Sequence, residues 1–149
     1  DKTKNDHRKV TFHDSCNVAR GSNMGNIENG QFILPREVIK AACNHFSDMP
    51  KATIKASTFC CGGGGGLLTD DLIELRIKGA MPRMQALKQS QENDGVNTLA
   101  AICAICKSQF SKVLPNYDFD PYMIVSVHQL VSDALVLSDK SQTKAEDSL

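Results

Sequence analysis

The chain has no tryptophan, only two tyrosines and six phenylalanines, and no surplus of either charge. Lysine plus arginine and aspartate plus glutamate number 17 each in 149 residues, so the sequence carries no electrostatic footprint for nucleic acid or an acidic membrane surface. Every apolar run falls far short of the about 20 residues that span a bilayer, which argues against direct membrane insertion. The opening Asp1-Lys2-Thr3-Lys4-Asn5-Asp6 lacks an initiator methionine and any secretory pattern, and reads as a cut into a longer protein. The glycine run at residues 62–66 lacks the Gly-Lys-Ser/Thr of a phosphate loop. Leu67 stands where a dinucleotide pattern counted from Gly62 needs its last glycine.

What remains is an ordinary globular composition, 41% hydrophobic and 23% charged, long enough for one domain with its own core. Cysteine is the unusual residue, with six copies. An even number invites a disulfide reading, but a chain of this length needs no staples and shows no secretory signal. Adjacent Cys60 and Cys61 also suit disulfide geometry poorly. Reduced thiols committed to a metal are the better reading.

Strands and helices are expected to alternate, giving an α/β fold with a mainly parallel sheet. Residues 1–8 read as a flexible lead-in, residues 9–137 as the folded domain, and residues 138–149 as a polar disordered tail. Within the domain, residues 9–13 alternate as a strand, and residues 17–30 form a loop with room for a short helix. A helix is expected from Pro35 with Val38, Ile39, Ala42, Cys43 and Phe46 on one face, ended by Met49-Pro50. Residues 52–56 read as a second strand. Thr69 caps a helix that Gly79 interrupts, and Pro82 opens a further helical piece. Asn93-Asp94-Gly95 is a turn, residues 96–102 a buried strand, and Cys103-x-x-Cys106 leads a helix to about Leu114. A strand over residues 122–127 and a helix over 128–137 complete the order.

On this reading Cys16 follows the first strand, Cys60 and Cys61 the second, and Cys103 and Cys106 the third. Ends of parallel strands share one carboxyl edge, where open α/β folds place their sites. Five sulfurs spread over 91 residues would converge there. Soft thiolates select iron–sulfur clusters or zinc, and five exceed the four that saturate zinc. A Cys-x-x-Cys pair entering a helix places its sulfurs near first-turn N–H groups that favour thiolate. Gly62, Gly63 and Gly64 would let the backbone approach a cluster and aim N–H groups at sulfur. His13, three residues before Cys16, is a neighbour able to hydrogen-bond a sulfur or ligate a metal. Arg20 and Lys107 flank cysteines and would offset negative charge, whereas Phe59 and Phe110 would exclude water. Cys43, Met81 and Met84 read as helix packing, and His7, His45 and His128 as surface or packing residues.

The pattern Cys16, Cys60-Cys61-Gly62, Cys103-x-x-Cys106 resembles the cysteine-rich CCG domain. That domain occurs in heterodisulfide reductase catalytic subunits and in iron–sulfur subunits of glycolate and lactate oxidases. The strings His13-Asp14-Ser15-Cys16-Asn17-Val18-Ala19-Arg20 and Ile102-Cys103-Ala104-Ile105-Cys106-Lys107-Ser108-Gln109-Phe110 are similar to the DsrK branch of the heterodisulfide-reductase-like subunits, found in DsrMKJOP membrane complexes. Cys16 and Cys60 are separated by 43 residues and Cys61 and Cys103 by 41, which is long for the family and implies different loops. The resemblance implies a non-cubane [4Fe–4S] cluster on Cys16, Cys60, Cys61, Cys103 and Cys106, with zinc or an empty site as the alternative in an isolated fragment. It implies electron transfer to a disulfide or trisulfide on a DsrC-like sulfur carrier, a cytoplasmic position, and membrane association through partner subunits. Catalysis would need more than this chain. Two rival readings are a zinc-stabilised docking module without redox chemistry and an iron–sulfur relay of a glycolate or lactate oxidase.

Overall fold

The computed structural model describes residues 1–22, 28–67 and 69–137. Three strands, β1 (Val10–His13), β2 (Thr98–Ala101) and β3 (Ile124–Ser126), form a parallel sheet in the order β1-β2-β3. His13 pairs with Ala101, and Ala101 with Ser126, so these residues mark the carboxyl edge. All four residues of β1 and of β2 are buried, as expected of a parallel sheet covered on both faces. The alternating strand and helix plan is therefore observed.

Four α-helices surround the sheet: α1 (Gly30–Ala42), α2 (Ile73–Asp94), α3 (Ala104–Val113) and α4 (Val127–Ala134). Strand side chains alternate between two cores. Val10, Phe12, Ala100 and Val125 join Ile39 of α1 and Leu130 of α4. Leu99, Ala101 and Ile124 join Met84 and Leu87 of α2 and Phe110 of α3. His13 belongs to the second face, edge-on to Phe110 with ring centroids 4.8 Å apart.

Several elements differ from expectation. The expected strand over residues 52–56 is two short 3₁₀ turns, Lys51–Thr53 and Lys55–Ser57. Its backbone is captured by side chains instead of a ladder: Arg83 donates to the Thr53 carbonyl, and the Lys55 N–H donates to Asp14 at 2.7 Å. The first helix starts at Gly30 and holds Pro35 inside it. It stops at Ala42, where Cys43 turns extended, and Phe46 then forms a parallel bridge with Val10. Residues 73–94 form one continuous helix through Gly79 and Pro82, because Arg76, Ala80, Arg83, Met84, Leu87 and Ser90 bury one face. Thr69 precedes the short turn Asp70–Leu72 without a side-chain cap bond.

Residues 1–8 are tied down. They carry a 3₁₀ turn whose buried Asn5 donates to the carbonyls of Ala42 and Leu130, and Arg8 pairs with Asp133 at 2.9 Å. The tail expected from residue 138, and residues 23–27 of the expected loop, lie outside the described residues. Among the described residues no helix is long and apolar enough to cross a membrane.

Candidate metal centre

The end of β1 organises the site. Asp14 and Ser15 are both buried, and they lead into a π-helical turn, Cys16–Arg20, with Ser15 Oγ accepting from Val18 N–H at 3.3 Å. Asp14 accepts two bonds from Arg36, both at 2.7 Å. Its carboxylate also holds the Lys55 N–H, and its carbonyl accepts from Thr58 Oγ1 at 2.8 Å. One buried carboxylate thus fixes the segment that runs into Phe59, Cys60 and Cys61. Burial alone would lower the Arg36 guanidinium, but Asp14 and Asp48 outweigh it and hold it above its ordinary value.

Cys60 and Cys61 therefore arrive from a side-chain-pinned turn, not from a strand end. Cys103 caps α3 at the end of β2, and Cys106 lies in the first turn of that helix. Cys61 and Cys106 thus approach one another from different elements, with Cys60 and Cys103 adjoining them in the chain. The Cys106 thiol also reaches Ser15 Oγ at 3.7 Å. The Sγ atoms of Cys61 and Cys106 and a ring nitrogen of His13 lie within 4.8 Å of one another, all three residues buried. Cys16 is half-buried at the start of the π turn, next to Ser15. Among the described residues, its sulfur is not part of the group formed by His13, Cys61 and Cys106. Cys43 is buried in the opposite core, as expected.

The glycines act through the backbone. Gly62 N–H donates to Cys60 Sγ at 3.3 Å. Gly62 has φ +89°, and a Cβ there would stand 2.2 Å from the Arg76 carbonyl. A Cβ on Gly63 would stand 3.3 Å from Cys61 Sγ. Side chains at either position would fill the cradle around the sulfurs.

The thiols are not equivalent. Hydrogen bonding to Cys106 and burial push Cys61 up to about 12, despite opposing bonds from Cys60 and Gly63. The bond to Cys61 and burial raise Cys60 well above its ordinary value. Burial also pushes Cys103 up, but bonds from the Cys106 backbone, Ser15, the Cys106 thiol and the Ile105 backbone outweigh it and leave it lowered.

Polar groups without partners surround this set. Neither ring nitrogen of buried His13 has one, nor do Arg83 Nε and Gln109 Nε2. Burial, then the charge of Arg83, drives the His13 imidazole well below its usual value. The residues read as charge neighbours from adjacency, Arg20 and Lys107, are exposed and half-buried. Buried Arg76 and Arg83 were not read from the sequence. Their signal is helical spacing: they lie seven apart, on the inward stripe of α2 with Ala80, Met84 and Leu87. Of the packing residues, Met84 and Phe110 are core, whereas Met81 is exposed and Phe59 is at 37% exposure.

Residues 10–111 match the family described as the cysteine-rich domain, CCG. The chain belongs to this family. The Hdr-like menaquinol oxidoreductase iron-sulfur subunit 2 of Archaeoglobus fulgidus is 45% identical over 138 residues, covering 93% of this chain and 23% of that protein. The Hdr-like menaquinol oxidoreductase iron-sulfur subunit of Archaeoglobus profundus is 44% identical with the same coverage. The chain thus spans less than a quarter of the length of these curated relatives. No solved structure matches it.

Proposed function

We propose that this cysteine-rich domain holds an iron–sulfur cluster and passes electrons within a larger Hdr-like oxidoreductase. The observation that carries the reading is the buried meeting of Cys61 and Cys106, with Cys60 and Cys103 adjoining them in the chain, beside buried polar groups that lack partners. Such a wall suits an anionic group with sulfur atoms at its surface: glycine N–H groups face the sulfurs, and the side chains that would fill the cradle are absent. The relatives named as iron-sulfur subunits support the same cofactor.

Cys60, Cys61, Cys103 and Cys106 are proposed as ligands. Cys16 would join them by a swing of the π turn that carries it, and the set would then hold the non-cubane [4Fe–4S] type. When bound, the cluster supplies one-electron transfer. The chain's own contribution is to exclude water with Phe110, orient Cys61 and Cys106 through Ser15 and Gly63, and leave one sulfur accessible. That sulfur belongs to Cys60, which is exposed beside a cavity of about 210 Å³ walled by Gly64, Leu67, Leu72 and Leu75. An apolar mouth at an accessible sulfur suits the approach of a partner's disulfide or trisulfide, carried by a DsrC-like protein in a membrane-associated complex. This chain would be one part of that enzyme.

A second reading has its own observation. His13, Cys61 and Cys106 form a three-donor group that Cys103 would complete as a zinc site. Anaerobic reconstitution of the full chain with iron and sulfide, followed by metal and acid-labile sulfide analysis and a visible spectrum, separates the readings. Bound iron with sulfide and broad visible absorption is expected, and lost on Cys61→Ser. Stoichiometric zinc, no colour and no sulfide would overturn the cluster.

A further inference from the structure

We propose that Arg83 is the buried counter-charge of the cysteine site, offsetting the negative charge of a thiolate-held iron centre and raising its reduction potential. The inference deepens the cluster reading and rests on it.

Arg83 is wholly buried, at 0% exposure. Its contacts are all formally neutral: Nη1 donates to Met49 Sδ at 2.9 Å, and Nη2 donates to Thr58 Oγ1 at 3.0 Å and to the Thr53 carbonyl. Nε has no partner, and among the described residues no carboxylate pairs with the guanidinium. A buried charge left this way is costly unless an opposite charge occupies the same interior.

The nearby acid does not fill that role. Asp14 is already closed by Arg36 and the Lys55 N–H. The other buried arginine of α2 differs too, because Arg76 has Gln109 at 2.9 Å and Asp70 at the surface 4.0 Å away. Arg83 instead faces the segment that bears the tandem cysteines. Its partner Thr58 leads directly into Phe59-Cys60-Cys61, and its guanidinium covers the Phe59 ring at 5.7 Å. Burial lowers the guanidinium to about 10, opposed by negative charge at Asp14 and Cys61. Removing its charge would leave Arg76, already held by Gln109 and the Thr69 carbonyl, as the remaining buried cation near the tandem pair. Reduction adds negative charge, so a cation held at low dielectric favours the reduced form.

The test uses the full chain reconstituted anaerobically with iron and sulfide, in wild-type form and as Arg83→Gln and Arg83→Lys. Midpoint potentials come from redox titration followed by electron paramagnetic resonance. Arg83→Gln is expected to disfavour reduction about tenfold or more, about 59 mV more negative for one electron. Arg83→Lys keeps the charge and is expected to stay well within that shift. A loaded Arg83→Gln protein with wild-type potential, or equal shifts in both variants, would overturn the proposal while leaving the cluster intact. Should Arg83→Gln fail to fold, Arg83→Met removes the same charge and decides: a potential about tenfold less favourable to reduction supports the proposal, and an unchanged potential overturns it. Failure of wild-type protein to take up iron and sulfide would bring down the cluster reading itself, a result visible before any potential is measured.

Discussion

On the α1 side of the sheet, the buried guanidinium of Arg36 meets two carboxylates, Asp14 and Asp48; on the α2 side, that of Arg83 meets a thioether, a carbonyl and a hydroxyl. The same contrast runs through their surroundings. The α1 and α4 side packs an apolar cluster with Cys43 as a small member, and its buried Asn5 is satisfied by the Ala42 and Leu130 carbonyls. The α2 and α3 face collects Thr11, His13, Arg83 and Gln109, each with a buried polar atom lacking a partner; among the described residues Gln31 of α1 is the exception elsewhere. Folding alone disfavours such groups. Their concentration around the thiols therefore separates a face built to be stable from one built to hold something.

The comparison breaks first at Arg36. Arg36→Ala leaves Asp14 buried without its bidentate partner and should cost about 3–5 kcal/mol. Urea unfolding of metal-free protein measures it, and a loss below about 1 kcal/mol would show that the pair is dispensable. Because Asp14 also holds Lys55, the tandem cysteines should become more reactive toward alkylating reagents in this variant.

The glycine run tests where the site is rigid. Gly62→Ala meets the Arg76 carbonyl at 2.2 Å and a left-handed backbone, and should destabilise by about 3 kcal/mol. Gly65→Ala has φ +71° but nothing within 4 Å, so about 1 kcal/mol is expected. Equal losses by urea unfolding would mean that close packing on α2 does not set the requirement. In the opposite core, Cys43→Ala should cost about 1 kcal/mol and leave bound iron per chain unchanged.

The parts legible in the sequence are those fixed by local pattern. The three observed strands are short buried segments, and the helix after Cys103-x-x-Cys106 begins where its spacing places it. Residues 52–56 misled because Thr53 and Ile54 have strand character, while long-range bonds from Arg83 and to Asp14 decide their backbone. Gly79 and Pro82 misled for a related reason: local propensity disfavours a helix there, and packing of the inward stripe overrides it. At the site, residue types were legible but neighbours were not. Arg20 and Lys107 adjoin cysteines in sequence, whereas the buried charges near the tandem pair are Arg76 and Arg83, brought in by a helix that the sequence reading divided in two.

The smallest expected effect is also the sharpest. Arg83→Met in metal-free protein removes a buried charge that has no carboxylate partner, and a charge of that kind contributes little to stability. The variant forfeits the bonds to the Thr53 carbonyl, Thr58 Oγ1 and Met49 Sδ and some packing volume, but Thr58 Oγ1 keeps its bond to the Asp14 carbonyl. These terms nearly cancel, so urea unfolding should move by less than about 1 kcal/mol. Arg36, equally cationic and nearly as buried, should lose several times more because its carboxylates remain behind. A loss at Arg83 as large as that at Arg36 would mean that the α2 guanidinium is a structural fixture, and the two faces of the sheet would no longer differ in kind.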